Sequence, residues 1–313
     1  MRIGVIGLGA IGGVVAARIA FDGSAVSLAA GRHAARLSER GIRLNGGPWM
    51  RTKVFETLPP DSYNLILLCT RTVDTGAALT PALPFLAADG IVVCVQNGLP
   101  EEKVARLIGE QRTMGAVVGW SASMNEPGDY VITGGGKFTL GGLSSGDLYK
   151  LREVEQILRN VCPVKVTRNL AGARWSKLAI NCAMSTIGAV SGLSLGQWTA
   201  RADARRLALR VVREVVDEAS RRGVRMEAIS GVRPDWLVRA PRIAGEGAIR
   251  LLALARPRQR SGMIVRLQEG RSAGVEDLNA LVDGPLNRRF VQMVREIESG
   301  ARRMTPANLE ELS

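Results

Sequence analysis

Residues 2–12 read RIGVIGLGAIG, and this stretch decides the fold. A short apolar run leads into the pattern GxGxxG at Gly7, Gly9 and Gly12, and a segment of helical apolar period follows it. A second apolar run, AVSLAA, occupies positions 25–30. The order strand, glycine turn, helix and strand predicts a βαβ unit that binds a dinucleotide. The local pattern leaves one alternative open, a tight strand–helix turn without a ligand.

The predicted cofactor-binding residues of this unit are Gly7, Gly9, Ala10, Ile11 and Gly12. In such a unit the first glycine forms the turn, the second lets a pyrophosphate approach the backbone, and the third allows the helix to pack closely. Ala10 and Ile11 fall in the first turn of the helix, where unpaired N–H groups and the helix dipole attract phosphates.

The residues after the second strand indicate which dinucleotide is bound. An NAD site usually places Asp or Glu there to bind the ribose hydroxyls. No acidic residue occurs between Gly23 and Ser38, whereas Arg32 and Arg36 do. Because a guanidinium attracts a 2′-phosphate, we predict NADP as the cofactor and Arg32 as a ligand of its phosphate. The alternative is that Arg32 is only solvated.

Two further apolar runs, NLILLC at 64–69 and GIVVCV at 90–95, predict strands of a parallel sheet that is covered on both faces. Arg71 follows the first run and Asn97 follows the second. Ligands collect at the carboxyl ends of strands in such sheets, so both residues are predicted to bind cofactor or substrate. An Asn followed by Gly is also typical of a plain turn.

The character of the chain changes twice along its length. After about residue 112, turn-rich segments predict antiparallel strands added to the sheet, and from about residue 169 nearly every segment has a helical period. We therefore predict an α/β fold in which residues 1–168 form an NADP-binding domain with a Rossmann-type, doubly wound parallel sheet. Residues 169–313 form an all-helical domain for substrate binding and dimerisation.

One lysine stands in an apolar stretch of the helical half. The segment WSKLAINCAMSTIG, residues 175–188, carries a single charge, and a helix there places Lys177, Asn181 and Ser185 on one face. An unpaired buried ammonium is costly, so the lysine either pairs with an acid or lines a cleft. In a cleft, a lysine with a shifted pKa can protonate a carbonyl oxygen while a cofactor delivers hydride. The residues alone leave both interpretations open.

Composition limits the classes of function. The 313 residues carry a net charge of +13, which raises the possibility of nucleic-acid binding, but aromatic residues make up only 4% and the arginines are interleaved with acids. We therefore interpret the arginines as a solvated helix face and expect no nucleic-acid partner. No apolar run is long enough to span a membrane. Four cysteines without CxxC spacing and a single histidine predict reduced thiols, a cytoplasmic location and no metal site.

Several motifs together resemble the ketopantoate reductase family, the 2-dehydropantoate 2-reductases, over most of the chain. They are GLGAIG at 7–12, Gln96-Asn97-Gly98, Lys177-Leu178 with Asn181, Ser261-Gly262-Met263, and Gly270-Arg271. The resemblance implies a Rossmann domain and a helical domain with the active site in the cleft between them. It also implies that NADPH reduces a small 2-oxo acid to a 2-hydroxy acid, in pantothenate biosynthesis or in a repurposed pathway. The apolar residues of the C-terminal helices, such as those at 290–297, leave two interpretations open, a homodimer face and core packing.

The resemblance also implies roles for individual residues. Lys177 resembles the general acid of the family, which protonates the oxygen as hydride arrives. Asn97 and Asn181 resemble the polar groups around substrate and nicotinamide. Arg71 falls where the family has a lysine near the cofactor, and Arg32 lies one residue past its phosphate-binding arginine.

The chain departs from the family pattern at the positions that bind substrate. A family asparagine falls on Ser185, and a serine that binds the substrate carboxylate falls on Gly262, beside Ser261. The catalytic glutamate falls on Gly274, and if a local deletion shifts the register, Glu276 takes its place. Otherwise Glu276 is an ordinary helix acid of the family. We predict Ser185 and Ser261 as substrate-binding residues and Glu276 as a catalytic one.

These observations support an NADPH-dependent oxidoreductase that acts on a small 2-oxo acid or on a related carbonyl or imine compound. The alternative is a catalytically weakened protein of the same fold that binds or senses NADP, because the expected serine and glutamate are replaced by Gly262 and Gly274.

Overall fold

The structure, a computed structural model, describes residues 1–144, 148–229, 231–254 and 256–312. Contacts within the chain divide it into two compact units, Met1–Leu170 and a second unit that begins at Ala171. The roles predicted for the two halves of the chain, cofactor binding and substrate binding, stay predictions.

Strands and helices alternate along most of the first unit. They are, in chain order, β1 (Ile3–Ile6), α1 (Ala10–Phe21), β2 (Val26–Ala29), α2 (Ala34–Arg40), β3 (Arg43–Leu44), β4 (Val54–Phe55), β5 (Tyr63–Leu68), α3 (Thr75–Leu79), β6 (Leu86–Cys94), α4 (Glu101–Ile108), β7 (Thr113–Val118), β8 (Ser121–Glu126), β9 (Asp129–Gly134), β10 (Phe138–Gly142), α5 (Leu148–Arg159) and β11 (Val164–Val166).

Among the described residues, eight strands form one sheet in the order β11-β10-β7-β6-β5-β1-β2-β4. Its neighbouring strands run parallel, except that β7 and β10 are antiparallel. The four apolar runs singled out in the sequence become β1, β2, β5 and β6. The prediction of an α/β fold with a Rossmann-type sheet is confirmed.

The prediction that the turn-rich segment adds antiparallel strands to this sheet is wrong for β8 and β9. These two strands pair around Gly128, whose φ is +96°, and form a separate small sheet in the order β3-β9-β8. Both strands pack against α1 rather than extend the large sheet. The hydroxyl of the buried Tyr130 in β9 donates to the carbonyl of Leu8 at 2.9 Å and ties the hairpin to the turn after β1.

The large sheet separates two apolar clusters, because successive side chains of a strand point to opposite faces. In β5, Leu65 and Leu67 pack in one cluster, whereas Ile66 and Leu68 pack in the other. All four side chains are fully buried. This arrangement explains why the strand reads as a continuous apolar run rather than an alternating one.

The second unit is helical over its described residues. Its helices are α6 (Leu170–Ser191, which begins at the last residue of the first unit), α7 (Leu195–Ala200), α8 (Ala202–Arg221), α9 (Pro234–Arg239), α10 (Arg242–Leu254), α11 (Gly262–Gln268) and α12 (Pro285–Glu298). Most apolar residues of α12, among them Phe290 and Val294, are buried within the chain, so core packing accounts for them. No helix in the described ranges is long and apolar enough to cross a membrane.

Candidate active site

The strand order brings the carboxyl ends of β6, β5, β1 and β2 side by side. The amide of Gly7, just after β1, donates to the carbonyl of Ala29 at 2.9 Å. On the other side of β1, the amide of Cys69 donates to the carbonyl of Ile6 at 2.8 Å. The predicted cofactor-binding residues therefore gather at one edge of the sheet, the position at which open α/β sheets bind ligands.

The three glycines of the turn have different surroundings. Gly7 has a φ of +96°, a conformation that favours glycine. A Cβ at Gly12 would overlap the carbonyl oxygen of Gly7 and lie 2.7 Å from the Cβ of Cys69. A Cβ at Gly9 would meet no atom within 4 Å. The space beside Gly9 lies next to the first turn of α1, at Ala10 and Ile11, where a phosphate group fits.

The N-terminus of α1 is suited to an anion. No side chain caps it, and its first turn contains no acidic residue. The first backbone N–H groups of a helix lack partners within the helix, so an anionic group at this point would be stabilised by hydrogen bonds and by the helix dipole.

A fourth glycine, Gly13 in α1, is also required by packing, and the sequence did not predict this. A Cβ at Gly13 would overlap the ring of Tyr130, which is the residue that bonds to Leu8. Burial raises the pKa of the Tyr130 hydroxyl, so it stays a neutral donor to the carbonyl. The pair of adjacent glycines at 12 and 13 was the available sign in the sequence, but the tyrosine that needs the space lies far along the chain.

The predicted phosphate ligand Arg32 lies in a short 3₁₀ turn, Gly31–His33, directly after β2. Its side chain is exposed, and its Nε lies 3.4 Å from Nε2 of His33. Arg36 differs, because its guanidinium pairs with Glu126 at 3.1 Å. Of the two arginines that follow β2, Arg32 is therefore the one whose guanidinium is not held by this carboxylate.

Arg71 and Asn97 lie after β5 and β6, where the sequence places them. Arg71 forms a two-point pair with Asp74, with Nε–Oδ2 and Nη2–Oδ1 distances of 2.9 and 3.1 Å. Asn97 is exposed, and its backbone carbonyl accepts a hydrogen bond from the hydroxyl of Thr72 at 2.6 Å. Arg71 is thus oriented by an acid, and the loops after the two strands are joined.

Gln96 organises these loops, which the sequence reasoning did not foresee. It is 4% exposed, and its side-chain nitrogen lies 3.1 Å from the hydroxyl of Thr70, 3.1 Å from the carbonyl of Arg71 and 3.0 Å from the hydroxyl of Thr75. The amide therefore fixes the path of the chain after β5. This position explains the glutamine in the Gln96-Asn97-Gly98 motif.

In the second unit, Lys177, Asn181 and Ser185 lie on one face of α6. Together with Ile180 and Met184 they are partly exposed, whereas the positions between them are buried. Burial of the ammonium group, with the positive charge of Arg256 nearby, lowers the pKa of Lys177 below its ordinary value. A lysine in this state gives up its proton more readily than an exposed one.

Ser261 lies beside Ser185, as a shared substrate-binding role would require. Its hydroxyl donates to the backbone carbonyl of Ser185 at 3.2 Å and accepts a hydrogen bond from the amide of Ile264 at 3.3 Å. Ser261 therefore caps α11 and attaches it to α6. Gly262 is exposed, and a Cβ there would meet open space. The fold would therefore accommodate a side chain at this position.

The predicted carboxylate, Glu276, lies in a 3₁₀ turn, Val275–Asp277, where it forms an ion pair with Arg295 at 3.0 Å. Gly274, which precedes this turn, has a φ of +80°. A Cβ at Gly274 would lie 3.3 Å from Nη1 of Arg266 and 4.0 Å from Oδ2 of the buried Asp277.

A buried polar network, not foreseen from the sequence, attaches α6 to α12. Glu214 accepts hydrogen bonds from the amides of Leu286 and Asn287 at 2.9 Å each and from the side chain of Asn287 at 2.7 Å. Asn279 donates to Asn287 at 2.9 Å and to the carbonyl of Cys182 in α6 at 3.3 Å. This network therefore holds α6, the helix that carries Lys177, at the carbonyl of Cys182. Over the described residues, no cluster of His, Cys, Asp and Glu could hold a metal ion.

Two sequence models cover most of the chain. Residues 3–145 match the family described as ketopantoate reductase PanE/ApbA, and residues 169–282 match its C-terminal part. The chain belongs to the ketopantoate reductase family. Membership makes it a nicotinamide-dependent oxidoreductase of the 2-dehydropantoate 2-reductase type.

Individual ketopantoate reductases support the assignment. A 2-dehydropantoate 2-reductase of Pyrococcus horikoshii is 30% identical over 232 residues, which are 72% of this chain and 76% of that protein. The crystal structure of a PanE/ApbA family ketopantoate reductase from Ralstonia eutropha is 26% identical, with a TM-score of 0.79 over 96% of this chain and 99% of that one. A D-mandelate dehydrogenase complex with NADH and anilino(oxo)acetate, 16% identical, has a TM-score of 0.84 over 96% and 99% of the two chains and shows the fold alone.

Proposed function

We propose that this chain reduces a small 2-oxo acid, ketopantoate or a related carbonyl or imine compound, with NADPH as the reductant and Lys177 as the proton donor. The observation that carries the proposal is the state of Lys177. It is a partly buried ammonium on the partly exposed face of α6, and its pKa is lowered by burial and by Arg256.

The residues of the glycine turn fit a dinucleotide. The open space beside Gly9, the tight packing at Gly12 and the uncapped N-terminus of α1 together form a cradle for a diphosphate. When bound, the nicotinamide group supplies the hydride. The preference for NADP over NAD rests on the exposed Arg32 and on the absence of acidic residues between Gly23 and Ser38.

Lys177 has two tasks in this proposal. Its ammonium donates a hydrogen bond to the substrate carbonyl oxygen, which polarises the carbonyl, and it then transfers a proton to that oxygen as the carbon is reduced. Asn181, one helical turn away on the same face, orients the substrate, with Asn97 and Ser185 as further polar groups. Glu276, whose side chain forms an ion pair with Arg295, accepts a hydrogen bond from a substrate hydroxyl.

The test replaces Lys177 with alanine. We expect turnover with ketopantoate and other 2-oxo acids to fall by about 10²–10⁴-fold, the usual contribution of a general acid, while the Kd for NADPH stays within about twofold. Lys137→Ala removes an exposed lysine and serves as the control, with turnover unchanged. Equal turnover in Lys177→Ala and Lys137→Ala would end the proposal.

A second candidate is a catalytically weakened protein that binds or senses NADP. It is favoured by the lack of a side chain at Gly262 and Gly274, where the resemblance expects a serine and a glutamate, and by the commitment of the Ser261 hydroxyl to helix capping. The discriminating measurement is NADPH oxidation with a panel of ketopantoate, other 2-oxo acids and cyclic imines. Tight NADPH binding without oxidation across the panel would support the second candidate.

We also propose a cytoplasmic location and a homodimer. The four cysteines in the described residues are free thiols, which suit a reducing compartment. A dimeric ketopantoate reductase from Staphylococcus aureus, 16% identical with a TM-score of 0.70, is a precedent for the assembly only. Equilibrium sedimentation measures the oligomeric state directly.

A further inference from the structure

A cavity of about 280 Å³ lies in the second unit, between the end of α8, the segment that follows it, and α9. This volume is close to the lower end of the range of ~300–1,000 Å³ for small-molecule sites, so it suits a small metabolite rather than a dinucleotide. One part of its lining is apolar and comes from Val216, Val224 and Met226. Val216 and Met226 are 5% and 6% exposed.

The charged part of the lining is predominantly positive. Arg225, Arg233 and Arg239 contribute three guanidinium groups, and Asp235 contributes one carboxylate. A guanidinium presents paired donors that match the two oxygens of a carboxylate or a phosphate. The lining is therefore complementary to a ligand with an anionic head and an apolar body.

The single carboxylate in the cavity is already engaged. Asp235 accepts two hydrogen bonds from Arg233, at 3.1 and 2.6 Å, and the guanidinium of Arg233 lies 4.5 Å from the centre of the Trp236 ring. Burial by itself would raise the pKa of Asp235, but the hydrogen bond and charge of Arg233 and the charge of Arg239 lower it. The carboxylate stays ionised and Arg233 is held in one orientation, which reduces the entropy lost on binding.

We infer that this cavity binds a small organic anion, whose carboxylate or phosphate contacts Arg239 and Arg233 and whose apolar part contacts Val216 and Met226. This site is additional to the proposed reaction and does not depend on it, since none of its residues belongs to the predicted catalytic set.

The test uses methyl NMR of the full chain labelled at the methionine methyl groups, with the Met226 resonance assigned by Met226→Leu. Isovalerate and isopentyl phosphate are the two anionic probes, and isovaleramide is the uncharged control of the same shape. We expect at least one of the two anions to shift the Met226 resonance in a saturable way. The anion with the lower Kd identifies the preferred head group. Isovaleramide should bind at least about tenfold more weakly, since it lacks charge-assisted hydrogen bonds.

Arg239→Gln removes one head-group contact from an exposed side chain at the end of α9 and should weaken binding about tenfold. Arg250→Gln, which removes an exposed charge from α10, is the matched control and should leave the Kd unchanged. The Met226 shift should also persist in Lys177→Ala, which separates this site from the proposed reaction. No saturable shift with either anion, equal binding of isovaleramide, or equal Kd values for the two arginine variants would each overturn the inference.

Discussion

The glycine loop of the first unit and the polar face of α6 in the second unit are built in different ways. The loop is formed by backbone: Gly7 has a positive φ, a Cβ at Gly12 would overlap the carbonyl oxygen of Gly7 five residues earlier, and Gly9 faces open space. The polar face of α6 consists of side chains whose support comes from distant segments, with Ser261 separated from Ser185 by 76 residues and Glu214 from Asn287 by 73.

This difference teaches that the two regions differ in what a substitution does to them. In the loop, we expect a single added methyl group either to collide with backbone or to occupy the space proposed for the cofactor. On α6, we expect a change at the partly exposed face to affect activity and a change in the polar network behind it to affect stability. The predictions below separate these effects.

Gly12→Val should have the largest effect, because its Cβ would overlap the carbonyl oxygen of Gly7 and approach Cys69. We expect a loss of more than about 3 kcal/mol in the free energy of unfolding, measured by urea denaturation, since backbone must move to relieve the overlap.

The matched variant is Gly9→Ala, whose Cβ meets no protein atom. Its free energy of unfolding should change by less than about 0.5 kcal/mol, while its affinity for NADPH falls at least about tenfold because the methyl group occupies the space of the diphosphate. If Gly9→Ala bound NADPH as the unsubstituted chain does, the open space would not be the cofactor cradle.

Glu214→Gln tests the network behind α6 and should cost about 2–3 kcal/mol of stability, because three hydrogen bonds to a carboxylate at the start of α12 are lost or weakened. Asp217→Asn, an exposed change on the same helix, should stay within about 0.5 kcal/mol. Denaturation curves of the pair give the comparison, and similar midpoints for both would show that Glu214 does not hold α12.

Arg32→Gln should have a smaller, selective effect. We expect the Kd for NADPH to rise about tenfold and the Kd for NADH to change less than about twofold, because only NADPH carries the 2′-phosphate. Arg36→Gln should change the Kd for NADPH less than Arg32→Gln does, because the guanidinium of Arg36 is paired with Glu126. Fluorescence titration with both cofactors gives these Kd values. An equal loss of affinity for NADPH and NADH would show that Arg32 does not bind the 2′-phosphate.

The sequence was sufficient where structure is local. The continuous apolar runs predicted β1, β2, β5 and β6, and the spacing of three glycines predicted the turn between β1 and α1. Helical spacing alone put Lys177, Asn181 and Ser185 on one face.

The rest depended on contacts between remote segments. The need for glycine at position 13 arises from Tyr130, whose bond to Leu8 spans 122 residues. The packing of β8 and β9 on α1, apart from the large sheet, also joins segments that are remote in the chain. The roles of Gln96, Asn279 and Glu214 depend on partners that periodicity cannot identify. The catalytic roles predicted for Lys177 and Glu276 stay predictions.

The most direct test of the central claim, that Lys177 supplies the proton, is the pH dependence of kcat/KM at saturating NADPH in the unsubstituted chain, Arg256→Ala and Arg258→Ala. A protonated Lys177 is the active form, so kcat/KM should be constant at low pH and fall as pH rises through a pKa below the ordinary lysine value. Removing the positive charge of Arg256 raises that pKa, so the fall should move to higher pH in Arg256→Ala and stay in place in Arg258→Ala. A profile without an alkaline fall, or one that does not move in Arg256→Ala, would contradict the account.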